Sequence, residues 1–154
     1  MQLATRSPRS PQAEREVRRD SALRRARSCY DHLAGVAGVT LFEELIRRGW
    51  IALEPGASAA DHPPCVLTES GRAALTRLGV AVDDALGAKR AVAYACLDWT
   101  ERRPHLAGAL GAAVLAALER DGVAVRERGR ALRLTSLLAD WLDASVRGQT
   151  RSTR

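Results

Sequence analysis

Cys29-Tyr30-Asp31-His32-Leu33-Ala34-Gly35 returns, with an insertion, as Cys96-Leu97-Asp98 followed by His105-Leu106-Ala107-Gly108. Gly38 and Gly49 after the first copy answer to Gly111 and Gly122 after the second, so the matched positions from His32 to Gly49 recur 73 residues later. A period of that length marks two copies of one supersecondary unit, neither of which buries its apolar face alone. The two halves are therefore expected to pack as one body.

Working outward, a helix is expected from about Ala13, with Leu23, Ala26, Tyr30 and Leu33 along one apolar stripe at spacings of three and four. Leu41, Leu45 and Ile46, and later Val114, Leu115 and Leu118, repeat at helical spacing, and Gly49 and Gly122 stand where a left-handed residue ends a helix. Trp50-Ile51-Ala52-Leu53 and Cys65-Val66-Leu67 read as a hairpin with a long Pro/Gly/Ala/Ser tip. Val123-Ala124-Val125 and Ala131-Leu132-Arg133-Leu134 read as a tight one around Glu127-Arg128-Gly129-Arg130. Thr68 and its counterpart Thr135 are each placed to cap a closing helix.

Scarce aromatics and abundant Ala, Leu, Val and Gly favour tightly packed helices. The expected fold is thus α+β and mostly helical: two tandem winged-helix-like repeats (helix, β-hairpin, helix) preceded by a helix. The domain reading is a disordered basic tail over 1–12, one domain over 13–146 with repeats at 29–87 and 96–146, and a basic tail over 147–154. The glycines three apart, Gly35 and Gly38 with Gly108 and Gly111, are expected to let the two repeat helices approach closely.

The sharpest chemistry is the duplicated cysteine and histidine. Cys29 and His32 would share a helix face, and Cys96 with His105 would complete two thiols and two imidazoles, the ligand inventory of a tetrahedral zinc site. In the second copy the nine-residue spacing requires Trp99-Thr100-Glu101-Arg102-Arg103-Pro104 to loop back. Against this stands a reading without cofactor, in which the cysteines are small apolar side chains and the histidines satisfy local hydrogen bonds. Asp98 reads as a helix N-cap with Glu101 as its partner, and Pro104 suits a first helical turn. A redox-active thiol pair is a third reading.

The net charge of +6 belongs to the ends. Residues 1–28 carry eight arginines against three acids, a balance of +5; residues 147–154 add three more arginines, and the intervening body, with 13 basic and 15 acidic groups, stands at −2. An Arg-rich arm reaches phosphates through salt-dependent contacts, which nominates Arg18, Arg19, Arg24, Arg25 and Arg27 as DNA-contacting residues. Major-groove reading by the repeats themselves is disfavoured. Only ten residues separate Gly38 from Gly49, about 15 Å of helix, and the second copy offers Ala112-Ala113-Val114-Leu115-Ala116-Ala117 where base-reading side chains would be needed. No nucleophile elbow or isolated carboxylate pair is present, which argues against an enzyme. Three cysteines make no even disulfide set, the first residues lack a secretory apolar stretch, and no run approaches ~18 apolar residues. A cytoplasmic protein with no membrane partner is expected.

The run Ala22-Leu23-Arg24-Arg25-Ala26-Arg27-Ser28-Cys29-Tyr30-Asp31-His32-Leu33-Ala34-Gly35, with Cys96-Leu97-Asp98-Trp99-Thr100-Glu101-Arg102-Arg103-Pro104-His105-Leu106-Ala107-Gly108-Ala109-Leu110-Gly111, resembles the C-terminal region of bacterial ArsR/SmtB-like winged-helix transcriptional regulators over about residues 14–146. The resemblance implies a homodimeric DNA-binding repressor or activator whose operator-reading winged helix lies N-terminal to this region and is expected outside this chain. It also implies double-stranded DNA or a full-length regulator as partner. The metal-sensing Cys-x-Cys of the founding members has no counterpart here. The alternative is a stand-alone sensor or protein-interaction module without DNA binding, with the Cys/His set as a site for zinc or another divalent transition metal.

Overall fold

In the computed structural model, which describes residues 8–56 and 62–147, the duplicated stretch is a β-hairpin feeding a helix, twice over. The N-terminal segment comes first, as α1 (Pro11–Arg19) and α2 (Ala22–Arg25). Repeat one then runs β1 (Arg27–Cys29), β2 (His32–Ala34), α3 (Gly35–Arg47), β3 (Ile51–Leu53), β4 (Cys65–Leu67) and α4 (Glu69–Arg77). After α5 (Val82–Leu86), repeat two runs β5 (Tyr94–Leu97), β6 (Pro104–Ala107), α6 (Gly108–Arg120), β7 (Ala124–Arg126), β8 (Leu132–Leu134) and α7 (Leu138–Arg147). The described residues are α+β, and their strands form four antiparallel pairs: β1–β2, β3–β4, β5–β6 and β7–β8.

The expected long N-terminal helix does not form. Ser10 caps α1 and Pro11 occupies its first turn, so proline starts this helix rather than breaking it. Asp20, at φ 45°, ends the helix after Arg19, and Ser21 caps a second short turn. Ala26 is already extended, and the supposed stripe is divided among a helix, a strand and a turn, where Tyr30 lies 87% exposed. Local capping chemistry at Asp20-Ser21 overrode the apolar spacing. Within the two tails read from sequence, residues 1–7 and 148–154 lie outside the described residues, as do residues 57–61 of the first hairpin tip.

Both repeat helices have thirteen residues and end alike. Gly49 and Gly122 have φ of 69° and 70°, and the next residues close each end through Trp50 N–H to Leu45 O (3.0 Å) and Val123 N–H to Leu118 O (2.9 Å). Thr68 Oγ1 donates to Gly49 O, Thr135 Oγ1 donates to Gly122 O, both at 2.6 Å, so each following hairpin is tied back to its helix end. Thr68 also accepts from Gly71 N–H and caps α4. Thr135 caps nothing, because α7 begins only at Leu138.

The repeats interlock rather than sit side by side. α3 packs on β6 and α6 on β2, so each helix covers the other repeat's strand. Backbone bonds repeat the exchange: Ser28 N–H meets Arg130 O (2.8 Å) and Leu132 N–H meets Ala26 O (3.0 Å), while Ala95 N–H meets Pro63 O (2.8 Å) and Cys65 N–H meets Ala93 O (3.0 Å). One continuous apolar core results, running from Ala26 through Leu45, Leu75, Leu110 and Leu118 to Leu142. Gly38 and Gly111 serve this exchange, and Gly35 and Gly108 abut the carbonyls of Arg24 and Val92, in place of the helix–helix approach expected of all four. A Cβ on Gly38 would stand 2.3 Å from Leu33 O and 3.3 Å from the Cβ of His105; one on Gly111 would stand 2.6 Å from Leu106 O and 3.2 Å from the Cβ of His32.

Candidate metal centre

The cysteines and histidines reach one another through the two crossed hairpins. In β1–β2 the register sets Cys29 directly opposite His32; in β5–β6 it sets Cys96 opposite His105. Directly paired residues on antiparallel strands put their side chains on the same face. The spacings of three and nine therefore give one geometry, since only the turn differs: Tyr30-Asp31 in the first hairpin, a loop over 98–103 in the second. Cys29 and His32 share a hairpin face, not the helix face read from their spacing.

Contact between β2 and β6 then brings the two pairs together. The ligand atoms of Cys29, His32, Cys96 and His105 all lie within 4.8 Å of one another. His32 Nε2 and His105 Nε2 are 3.1 Å apart, with ring centroids at 4.9 Å. Both imidazoles are buried, at 4% and 1% exposure, whereas both thiols are half-buried. The cluster is thus closed on its nitrogen side and approachable on its sulfur side. Cys65, the remaining thiol, is elsewhere; burial pushes it up to about 11.

Asp98 organises the site. Its Oδ2 accepts hydrogen bonds from His105 Nδ1–H at 2.9 Å and from Gly35 N–H at 2.7 Å. Its Oδ1 accepts from Arg27 at 2.8 Å, and from the Thr100 hydroxyl, Thr100 N–H and Glu101 N–H at 2.9–3.1 Å. The turn of backbone that led to an N-cap expectation exists, but no helix follows it and Pro104 opens a strand instead. Burial alone would raise the Asp98 carboxyl; the hydrogen bond to His105, the Arg27 charge and the Gly35 and Glu101 N–H groups outweigh it and hold it well below the usual carboxylate range. Burial likewise would lower His105, yet its bonds to Asp98 and Cys29 raise it. Hydrogen bonding from Cys96, then His105 and His32, pushes Cys29 far down, and the same contact with Cys29, aided by burial, pushes Cys96 up. The thiol pair therefore favours one negative charge beside two imidazoles.

The arginine candidates divide. Arg27 is fully buried, paired to Asp98 and stacked 4.7 Å from the Trp99 ring, which removes it as a phosphate contact. Arg24 spans Asp20 and Glu101 in ion pairs of 3.0 and 3.1 Å. Arg18, Arg19 and Arg25 are exposed. Sequence reasoning missed that the arm's arginines hold the 98–103 loop, to which Arg9 also donates at Thr100 O. The available signal was Asp98 itself, a carboxylate placed before a motif histidine.

Over 122 residues, 79% of its length, the chain is 35% identical to the uncharacterized HTH-type transcriptional regulator YdfF of Bacillus subtilis (strain 168). The chain spans about half, 51%, of that relative. No protein-family profile and no solved structure matches it. Among the described residues, no helix is long and apolar enough to cross a membrane.

Proposed function

We propose that this chain is the sensor and dimerisation region of a helix-turn-helix transcriptional regulator of the ArsR-like winged-helix type, cytoplasmic and without enzymatic activity. The relative's name supports the regulator reading, and the duplicated helix, hairpin and helix order supports the winged-helix-like one. The observation that carries the sensing role is the Cys/His cluster, which draws its four side chains equally from both repeats. Anything that changes the cluster acts on the joint between the halves. Asp98 extends that joint to Gly35 at the start of α3 and to Arg27 next to α2.

In this reading DNA contact by the chain falls to Arg18, Arg19 and Arg25 on the N-terminal helices. Duplex DNA should bind at low salt, and replacing the three by Ala should lower the salt slope by about one unit for each phosphate no longer neutralised. Absence of binding at low salt removes DNA contact by this region. The body charge of −2 and the internal use of Arg24 and Arg27 favour a second reading, a sensor or interaction module without DNA binding. It predicts dimers in sedimentation together with no DNA affinity.

A further inference from the structure

We propose that Cys29, His32, Cys96 and His105 bind one divalent transition metal, zinc foremost, as a tetrahedral site joining the two repeats. The proposal rests on the sensing reading above and names its ligand. Its first support is the orientation of the imidazoles. Asp98 accepts the Nδ1–H of His105, which leaves Nε2 as that ring's ligand position, directed into the cluster where it faces the Nε2 of His32 at 3.1 Å. His32 Nδ1 is turned towards Asp31 Oδ1, 3.4 Å away, and Asp31 is held by Arg90 at 2.6 Å. Two Nε2 atoms so placed, beside two sulfurs, require a proton or a cation between them.

Distances favour the cation. Zinc–nitrogen bonds of about 2.05 Å at a tetrahedral angle set two ligating nitrogens about 3.3 Å apart, and zinc–sulfur bonds of about 2.3 Å set two sulfurs about 3.8 Å apart. The observed nitrogen separation of 3.1 Å and the outer limit of 4.8 Å for all four atoms differ from this by about an ångström at most. A bonded carboxylate behind a ligating imidazole is the usual support of a zinc-bound histidine, and the fully buried Asp98 stands behind His105 in that way. Gly38 and Gly111 complete the fit, since each leaves room for the other repeat's histidine where a side chain would collide. The donor set of two thiolates and two imidazoles suits zinc and cobalt and is poor for magnesium or calcium.

Cobalt(II) titrated into the reduced full chain tests this. Expected are one equivalent bound, the strong visible bands of tetrahedral cobalt, a thiolate charge-transfer band in the near ultraviolet, and displacement by zinc. Cys29→Ser and Cys96→Ser should each roughly halve the charge-transfer intensity and weaken cobalt at least tenfold, whereas Cys65→Ser should leave both unchanged. Should the serine variants fail to fold, the wild-type spectrum and stoichiometry still decide. A spectrum without the charge-transfer band, or undiminished binding in the Cys29/Cys96 double variant, overturns the site. Stoichiometric cobalt with DNA affinity and dimerisation indifferent to the ion keeps the site and overturns the sensing reading on which it was built.

Discussion

The two Cys-x-Asp motifs are alike in sequence and opposite in use. Asp31 lies in a two-residue turn, 34% exposed, between His32 and the surface Arg90. Asp98 lies at the root of a longer loop, fully buried, accepting from His105, Arg27, Thr100, Glu101 and Gly35. The insertion between Asp98 and His105 creates this difference. It lets the carboxylate turn inward, where it meets a buried arginine from the N-terminal segment. A duplicated motif thus supplies matched ligands twice but a supporting carboxylate in depth only once.

Substitutions at the two aspartates should separate most widely. Asp98→Asn leaves the buried Arg27 guanidinium without its counter-charge and should cost about 3–5 kcal/mol in chemical denaturation. Asp31→Asn breaks a surface pair and should cost about 0.5 kcal/mol. Equal losses would refute the asymmetry.

The helix starts and ends give an intermediate contrast. Gly38→Ala and Gly111→Ala gain ~1 kcal/mol of helix propensity, but the new Cβ meets a backbone carbonyl at 2.3 and 2.6 Å, so a net loss of about 2 kcal/mol is expected from each. Gly49→Ala and Gly122→Ala meet nothing within 4 Å and carry only the left-handed backbone penalty of about 1 kcal/mol. Thermal unfolding of the four variants checks this order, and its reversal would place the strain at the caps.

The smallest effect distinguishes the threonines. Thr68→Ala removes a helix cap together with a tie to Gly49 O and should cost about 1 kcal/mol, against about 0.5 kcal/mol for Thr135→Ala, which loses the tie alone. Amide exchange in the first turn of α4 should rise only in the former.

Much of the repeat could be read from the chain. The apolar spacing and closing glycines place α3 and α6, and the apolar stretches on either side of glycine-containing turn segments place the hairpins β3–β4 and β7–β8. The hairpins that carry the cluster could not be read so. Their strands are as short as the others, but no glycine or proline marks the turns at Tyr30-Asp31 and 98–103, and the stretch Leu23 to Leu33 matches helical spacing by coincidence. Arg27 illustrates the same limit: in a run of arginines it looks like solvated surface, and only Asp98, 71 residues away, explains its burial.

The sequence alone determined that there are two copies of one unit, where their helices stop, and that two thiols and two imidazoles are available, because these follow from residue identity, spacing and local backbone preference. Tertiary structure decided that the copies exchange faces, that the four donors converge, and that one aspartate of the pair supports them. Those outcomes depend on cross-strand register and on contacts between residues distant in the chain, and no local pattern encodes either.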